Sequence, residues 1–521
     1  MSAKKTLSPT ILLNAAENNS LNLQFEKKFS SFLSGGSSGN DVFTRIHGSW
    51  YDLRRFSSFH PGGPIALQLS YGRDSTLLFH SHHPFTDPAK LGAMLQSMKA
   101  SPEAQARLNK EFPEALIPLP EGFEFDIRHA ASSLGLSSIE TRMDPFEAEL
   151  KQLYRSYFEE ESKRRNVSFR EASKCVPERW LISILLGFAA IFLGVIPMVN
   201  GYIPGIIIAP TLVWVWQVNY FHDAAHFSVS TDWRVNAFWS YLAPWFSSPF
   251  EWYHQHVIGH HIFTNIPDRD PDLYHSRLVW RFQHRDLWIP VHAAMYYLTL
   301  VFWSVATSSL AFVRPITTTI TKDYNKCVRI WRTSVLRYAV HFIGRILTAA
   351  LVFLWPLLAF EGKNYPLSKI LAFSIIPNII FSLWFMLCSQ VNHHSDETSE
   401  AHDSNWYRHQ VVTSQNVAPE SFFAFIISGG LNLQIEHHLF PMVNHWHLIK
   451  LQPHVQALCV KHGVHYTRSE SFLEAVIKIW SHMSIMKKKP TRIESFLSVL
   501  QEWNAPMWQP RRKHVVSKIG R

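Results

Sequence analysis

The chain has 521 residues, 47% of them hydrophobic, with 19 Trp and 37 Phe, and its Lys+Arg 50 against Asp+Glu 40 gives a formal net charge of +10. That length admits two or more domains, and the basic excess suits nucleic acid or an anionic membrane surface; the long apolar segments decide for membrane lipid and against nucleic acid. The four cysteines, Cys175, Cys327, Cys388 and Cys459, are far apart with no C-x-x-C pair, which excludes a disulfide scaffold and suits reduced thiols.

Residues 1–40 are polar and end in SGGSSGN, a flexible leader without a packed core. Its Lys4 and Lys5 precede only the short apolar run ILLNAA, a poor signal peptide, so a cytosolic N-terminus is expected. A globular unit is expected over 41–125. It opens with FTRIHGSWYDLRRFSSFHPGGP, where alternating apolar positions give way to a turn. In HPGG, residues 60–63, Pro and two Gly allow a tight turn and close backbone approach beside His60. Downstream, YGRDSTLLFHSHHPF supplies His80, His82 and His83. Residues 126–178 are charged and helical in pattern, as in FEAELKQLYRSYFEEESKRR, and predict an amphipathic connector with a solvated face.

Apolar segments then begin. WLISILLGFAAIFLGVIPMVNGY, from Trp180, and IPGIIIAPTLVWVWQVNYF, 203–221, are each near the ~20 residues that cross hydrocarbon, and NGY makes them a hairpin. A first histidine box, HDAAH with His222 and His226, follows directly. A second, QHVIGHH with His256, His260 and His261, follows a Trp-rich stretch at 237–253. A third, in LNLQIEHHLFP at 431–441, carries Gln434, His437 and His438. Between boxes two and three lie apolar stretches at 287–313, 336–360 and 367–390. If all three crossed, box three would face the opposite side from the other two, which a single metal centre forbids. The stretch 287–313 has Arg277, Arg281 and Arg285 before it and Lys322, Lys326, Arg329 and Arg332 after it. Positive charge on both flanks fits one cytosolic side, so this stretch is expected not to cross. The other two are joined by EGKNYP, a lumenal turn. The expectation is four spans, with both termini and all boxes cytosolic. The basic tail 487–521, with KKKP and RRKH, suits anionic headgroups.

Imidazole is the commonest metal ligand side chain, because a neutral ring nitrogen is available near pH 7. Histidines four apart share a helix face. So His222/His226, His256/His260 and Gln434/His438 can each aim at one point, and an adjacent pair adds a ring about 100° away. The order H-x-x-x-H, H-x-x-x-H-H, Q-x-x-H-H around membrane spans resembles the boxes of membrane fatty-acyl desaturases. Gln434, opening the third box, resembles the front-end subgroup, which is fused to a cytochrome b5 domain. HPGG and YGRDSTLLFHSHHPF are similar to that domain, and the resemblance covers roughly 41–465.

The resemblance implies a small α+β haem domain over 41–125, a connector over 126–178 and an all-α membrane desaturase domain over 179–486 with a cytosolic histidine-rich cap. His60 matches the first ligand of haem b. Aligning GRDST and the following Pro-Phe selects His83 as the second, with His82 where the family has an aromatic residue. Two axial histidines leave no open position, so such a haem carries electrons. Two iron ions would be held by His222, His226, His256, His260, His261, His393, His437 and His438, with Gln434 where related desaturases have another His. His393, in CSQVNHH, is implied by the family's extra histidine near this place, with Asn392 as its partner. Asp223 and Glu436 are candidates for orienting metal-bound histidines; His254, His445 and His447 fall outside the matching positions. The implied reaction uses O2 to remove two hydrogens from an acyl CH2–CH2 pair at the endoplasmic reticulum membrane. Electrons pass from NADH through cytochrome b5 reductase, and the substrate is a polyunsaturated fatty acyl-CoA or acyl-phospholipid. Delta-5 action on twenty-carbon chains is the expected regiochemistry. Delta-6 or delta-4 desaturation, a sphingolipid desaturase or fatty-acyl hydroxylase, and a non-enzymatic haem relay are the alternatives.

Overall fold

In the computed structural model, the alternation in FTRIHGSWYD becomes an antiparallel hairpin, Phe43–Ile46 with Ser49–Asp52. His47 and Gly48 turn it at φ 45 and 78, the positive φ pair that matches strand twist in a two-residue loop. Side chains alternate across it: Trp50 packs with Phe43, Tyr71, Leu108 and Phe112, while Tyr51 packs with Ile46, Leu67 and Leu95. Helices Gly63–Leu69, Thr76–His82, Pro88–Ser97 and Pro102–Glu111 complete this unit. The last two begin on Pro behind the capping side chains of Asp87 and Ser101. The structure describes residues 42–57, 59–138, 141–243, 245, 247–274, 298–321, 323–324, 327–330, 335–399 and 401–486. The leader, the basic tail and most of the charged flanks around 287–313 lie outside these residues.

The connector holds the helix Pro145–Arg165, capped by Asp144 and ended by Asn166 in the left-handed region. Phe146, Leu150, Tyr154 and Phe158 recur every four residues along one face. All four are buried against Leu439, Phe440, Leu448, Leu451 and Val455. The expected solvated face is only half of this helix. At roughly 1.5–3 kcal/mol per large buried side chain, its apolar stripe makes it a strut under the third box.

Among the described residues three helices, rather than the expected four, are long and apolar enough to cross a membrane: Phe169–Val199, Ala339–Ala359 and Leu367–Ser389. The segment expected as the second span is the helix Gly205–Ala225, but its second half buries Gln217, Asn219, His222 and Asp223. Those polar groups lower its apolarity, and they are turned into the protein: Asn219 donates to the Ile426 carbonyl (2.7 Å). It packs closely on its predecessor: a Cβ on Gly194 would lie 2.8 Å from Ala209 Cα. Leu181, Leu185, Phe192 and Leu193 on the first span, and Leu347, Leu351 and Leu358 on the second, are exposed. Apolar faces of that extent fit lipid. Of the stretch 287–313, the structure describes the part in the helix Thr299–Thr321, which packs along Leu367–Ser389. There the Thr307 amide donates to Ser382 Oγ (2.9 Å).

The N-terminal unit docks on the helical part through backbone carbonyls and an ion pair as well as apolar packing. Arg329 pairs with Glu114. Arg73 Nη2 donates to the Arg329 carbonyl (2.9 Å). Arg269 Nη2 donates to the carbonyls of Ile117 (2.9 Å) and Pro118 (2.8 Å).

The strut is pinned at its start by Glu147, which is 3% exposed. It accepts hydrogen bonds from His129 (3.1 Å), Lys151 (2.7 Å) and Asn405 (2.9 Å). Burial pushes its carboxyl up, but the His129 hydrogen bond and the Lys151 charge outweigh it and hold the group at about 2. A depressed carboxylate stabilises the fold above its unfolded pKa, so this contribution is lost as pH falls from about 4.5 toward 2. We expect Glu147→Ala to cost about 3–5 kcal/mol, as for a broken buried pair, read as a lowered thermal unfolding midpoint in detergent. An unchanged midpoint would show that the strut is held by its apolar face alone.

Candidate metal centre

His222 lies in the last turn of Gly205–Ala225 and His226 caps that helix. The second box lies in a π-helix, Tyr253–His260. The His261 amide donates to the His256 carbonyl, five residues back, at 2.9 Å. This wider turn also brings His256 and His261 together, with their Nε2 atoms 3.0 Å apart, while His256 and His260 keep the expected common face and lie with Asp272, ligand atoms within 4.8 Å of one another. His222 Nε2 lies 2.9 Å from His256 Nε2, and His437 Nε2 lies 3.1 Å from His261 Nε2. The His226 ring centroid is 4.4 Å from that of His261. Thus His222, His226, His256, His261 and His437 each offer a nitrogen within 4.8 Å of the others.

His260, His393 and His438 form a second buried group. In each ring Nδ1 faces an acceptor: Asp270 Oδ2 at 3.1 Å, the Thr413 carbonyl at 3.0 Å and Gln410 Oε1 at 2.9 Å. A donor Nδ1–H leaves Nε2 bare for a metal. The Nε2 atoms of His260 and His393 are 3.2 Å apart. Gln434 Nε2 lies 2.9 Å from His393 Nε2, and Asn392 Nδ2 donates to Gln434 Oε1 (3.2 Å). The adjacent His437 and His438 part between the two groups, as the turn per residue of a helix requires. All eight histidines singled out in the sequence are therefore brought into these two groups.

Burial, followed by the neighbouring imidazoles, pushes His256, His261, His437 and His438 well below the ordinary histidine value. These rings stay neutral near pH 7. His260 is the exception: burial lowers it, but Asp270 and Asp272 outweigh that and raise it. Both nitrogens of His226, Nδ1 of His261 and Nε2 of His438 are buried without a hydrogen-bond partner. Orphaned nitrogens at such a convergence fit a cation, and a nitrogen-only donor set suits iron, zinc or copper.

Two expected orienting carboxylates face elsewhere. Asp223 Oδ2 accepts from His445 Nδ1 and Asn444 Nδ2, both at 2.6 Å. Glu436 accepts from Asn416 and Tyr466. Asp270, in the DRDPD run, takes the orienting place behind His260. The sequence contained it but gave no sign of which carboxylate turns inward. Thr413 acts through its backbone and Gln410 is one amide among many, so neither had a sequence signal.

In the N-terminal unit His60 faces His83, with ring centroids 6.1 Å apart and planes at 69°. One metal atom fits between two rings at the roughly 2 Å of a metal–imidazole bond. The Gly62 amide donates to His60 Nδ1 (3.1 Å), and His83 Nδ1 donates to the Phe79 carbonyl (2.8 Å). The His83 hydrogen bond leaves that ring's Nε2 bare toward the gap. His80 instead lies 2.7 Å from His47, nitrogen to nitrogen, and His82 turns its Nδ1 to Ser81 and the Leu78 carbonyl. Gly63 sits at φ 75, and a Cβ there would run into the Trp233 indole.

Clustered imidazoles in neighbouring groups, with Asp272 beside His256 and His260, next to a bis-histidine domain describe a redox enzyme: a hydrolase has no use for a domain that passes single electrons. Comparison with known proteins agrees. A model of the Fatty acid desaturase family matches residues 198–470, and one described as a Cytochrome b5-like Heme/Steroid binding domain matches residues 27–101. The chain belongs to the fatty acid desaturase family, as a front-end type with a cytochrome b5 domain ahead of the desaturase domain. It is similar to a "Probable Delta(5) fatty acid desaturase C" of Dictyostelium discoideum, 26% identical over 84% of this chain and 90% of that protein. It is also similar to an "Acyl-lipid omega-13 desaturase" of Chlamydomonas reinhardtii, 25% identical over 85% and 92%. An "Acyl-lipid (8-3)-desaturase" of Physcomitrium patens is 27% identical over 85% and 88%.

Two outcomes follow from this geometry. His83→Ala should remove low-spin b-type absorption while His80→Ala keeps it; a normal spectrum in His83→Ala would move the ligand elsewhere. Asp270→Asn should cost ten- to a hundredfold in desaturation, the usual range for a group behind a metal ligand, with the haem spectrum unchanged. Wild-type turnover in that variant would show that His260 is held without it.

Proposed function

We propose that the protein inserts a double bond between the carboxyl end and an existing double bond of a polyunsaturated acyl chain, acting at delta-5 on twenty-carbon substrates. The observation that carries this reading is the two-part cluster of eight buried histidines beside a bis-histidine domain. In this reading His222, His226, His256, His261 and His437 hold one iron, and His260, His393 and His438 hold a second, with Gln434 beside His393. His60 and His83 hold haem b. When bound, the haem supplies single electrons, and the irons supply the activation of O2 that an unactivated CH2–CH2 pair requires.

The chain's own residues do the rest. Asp270, the Thr413 carbonyl and Gln410 fix the tautomers of three rings. The Trp252 ring lies 4.4 Å from that of His256 and packs on Phe221 and Phe385. This aromatic wall keeps water from the reacting carbons. Arg269 donates to the Ile117 and Pro118 carbonyls, which gives it to the interface with the haem domain and not to a substrate headgroup. Arg277, Arg281 and Arg285 lie outside the described residues. Acyl-CoA or acyl-phospholipid as substrate, cytochrome b5 reductase as electron donor, and an endoplasmic reticulum site facing the cytosol complete the proposal.

Delta-5 action is supported by relatives named for it. Other relatives carry (8-3), (7-3) and omega-13 names. Expression in a host fed eighteen-, twenty- and twenty-two-carbon polyunsaturated acids separately tests the position. Mass spectrometry should place the new bond at delta-5 in the twenty-carbon product. New bonds only on the methyl side of existing ones, or conversion of eighteen-carbon substrate alone, would overturn it.

A further inference from the structure

A cleft of about 410 Å³ lies between the haem domain and the second box. Leu78, on the helix Thr76–His82, lines it from the haem domain. Ile258 and Ile262, within and just after the π-helix Tyr253–His260, line it from the metal-binding part. Its charged side chains are Arg45, Arg73, Arg269 and Arg329, against Asp74 and Glu114. None of the eight clustered histidines lines it.

Four guanidiniums and two carboxylates leave a positive surplus in the cleft. Arg45 Nη1 pairs with Asp74 Oδ2 (2.6 Å), and Arg329 pairs with Glu114. The other two bond to main-chain carbonyls: Arg73 to that of Arg329, and Arg269 to those of Ile117 and Pro118. A carbonyl accepts the N–H but carries no net charge to cancel the cation's. Burial lowers Arg269, with Cys327, Asp268 and Asp74 acting against it. Burial lowers Arg73 to about 10, and no carboxylate among the described residues offsets that. The Nε atoms of Arg45 and Arg73 are buried without a hydrogen-bond partner among the described residues. Buried N–H donors call for an acceptor, and the surplus charge selects one that is anionic. Guanidinium donors in a fixed fork match the oxygens of phosphate.

We propose that this cleft binds a phosphate or diphosphate group of a small molecule through Arg45 and Arg73, and that the bound anion clamps the haem domain against the second box. Arg73 belongs to the haem domain and reaches the main chain of Arg329 in the helical part (2.9 Å). Like charges thus meet at this joint, and an anion among them turns repulsion into attraction on both sides. The apolar lining leaves room beside the anion for the carbon part of an organic phosphate.

The test uses the full-length protein with haem and iron in detergent, in buffer free of phosphate and sulfate. Calorimetry with pyrophosphate as the probe should find one site with a Kd below about 1 mM. Arg45→Gln and Arg73→Gln should each weaken it about ten- to a hundredfold, the effect of losing a hydrogen bond to a charged group. Arg54→Gln removes an arginine that pairs with Asp52 away from the cleft and should leave the affinity unchanged. Low-spin haem absorption shows that each variant's haem domain is folded. Hydrogen exchange on the wild type needs no variant: pyrophosphate should protect 72–78 and 327–330 together. Competition by acyl-CoA would put the phosphate on the acyl carrier, and competition by ADP alone would make it a free effector; both uphold the site. Competition by neither would leave an adventitious ion only and overturn the proposal. So would the absence of a site below that limit, equal weakening by Arg54→Gln, or protection on one side of the joint alone.

Discussion

Eight imidazoles packed with nitrogens about 3 Å apart, in a pocket closed to water, is the constraint to which the rest of this molecule answers. A buried nitrogen without a partner costs free energy, so a cation at its centre would stabilise the cluster. The rings come from four distant stretches of chain, and three of these leave the regular α-helix to deliver them, while the third box keeps it. The first box ends its helix. The second widens into a π-helix. After it Asn265 turns at φ 56, donating its amide to Asp270 (2.8 Å) and its side chain to the His393 carbonyl (3.0 Å). One turn thus ties the second box to its own orienting carboxylate and to the segment that supplies His393.

The same constraint explains the connector. The helix Pro145–Arg165 neither spans nor carries a ligand, yet its stripe ends on the residues that frame the third box. Tyr154 packs on Phe440 with ring centroids 4.1 Å apart, and Phe440 also meets Phe85 of the haem domain. Strut, third box and haem domain therefore share one apolar core. A shift of the haem domain is felt at Phe440, close to His438, through packing that resists deformation.

What the sequence made legible was whatever lies in local spacing. The three boxes, HPGG, and the pairing of His60 with a histidine from HSHH are contiguous patterns, and the structure brings those residues together. What it hid was backbone form and partner choice. H-x-x-x-H-H reads equally well as an α-helix with His256 and His260 on one face, and nothing in the side chains announces the extra residue per turn that joins His256 to His261. Asp223 stands next to a box histidine and looked like its partner; it is spent on His445 and Asn444, while Asp270 reaches back to His260. Hydropathy counted Gly205–Ala225 as a span because its first half is uniformly apolar. Only the fold shows that its second half turns Gln217 and Asn219 inward.

No carboxylate joins the five-histidine group. Asp270 stands behind His260, Asp223 behind His445, and Glu436 is held by Asn416 and Tyr466. These three carboxylates are thus held by other side chains, whereas Asp272 lies with His256 and His260. Neutral donors leave a bound cation its full charge, and burial in a low dielectric makes that charge strongly felt. The bis-histidine site differs in its use of similar rings: two axial imidazoles saturate a haem, so its iron can change only its charge. In the proposed reading a saturated one-electron site sits beside an open metal site, and packing at Trp233 and Phe440 joins the two parts.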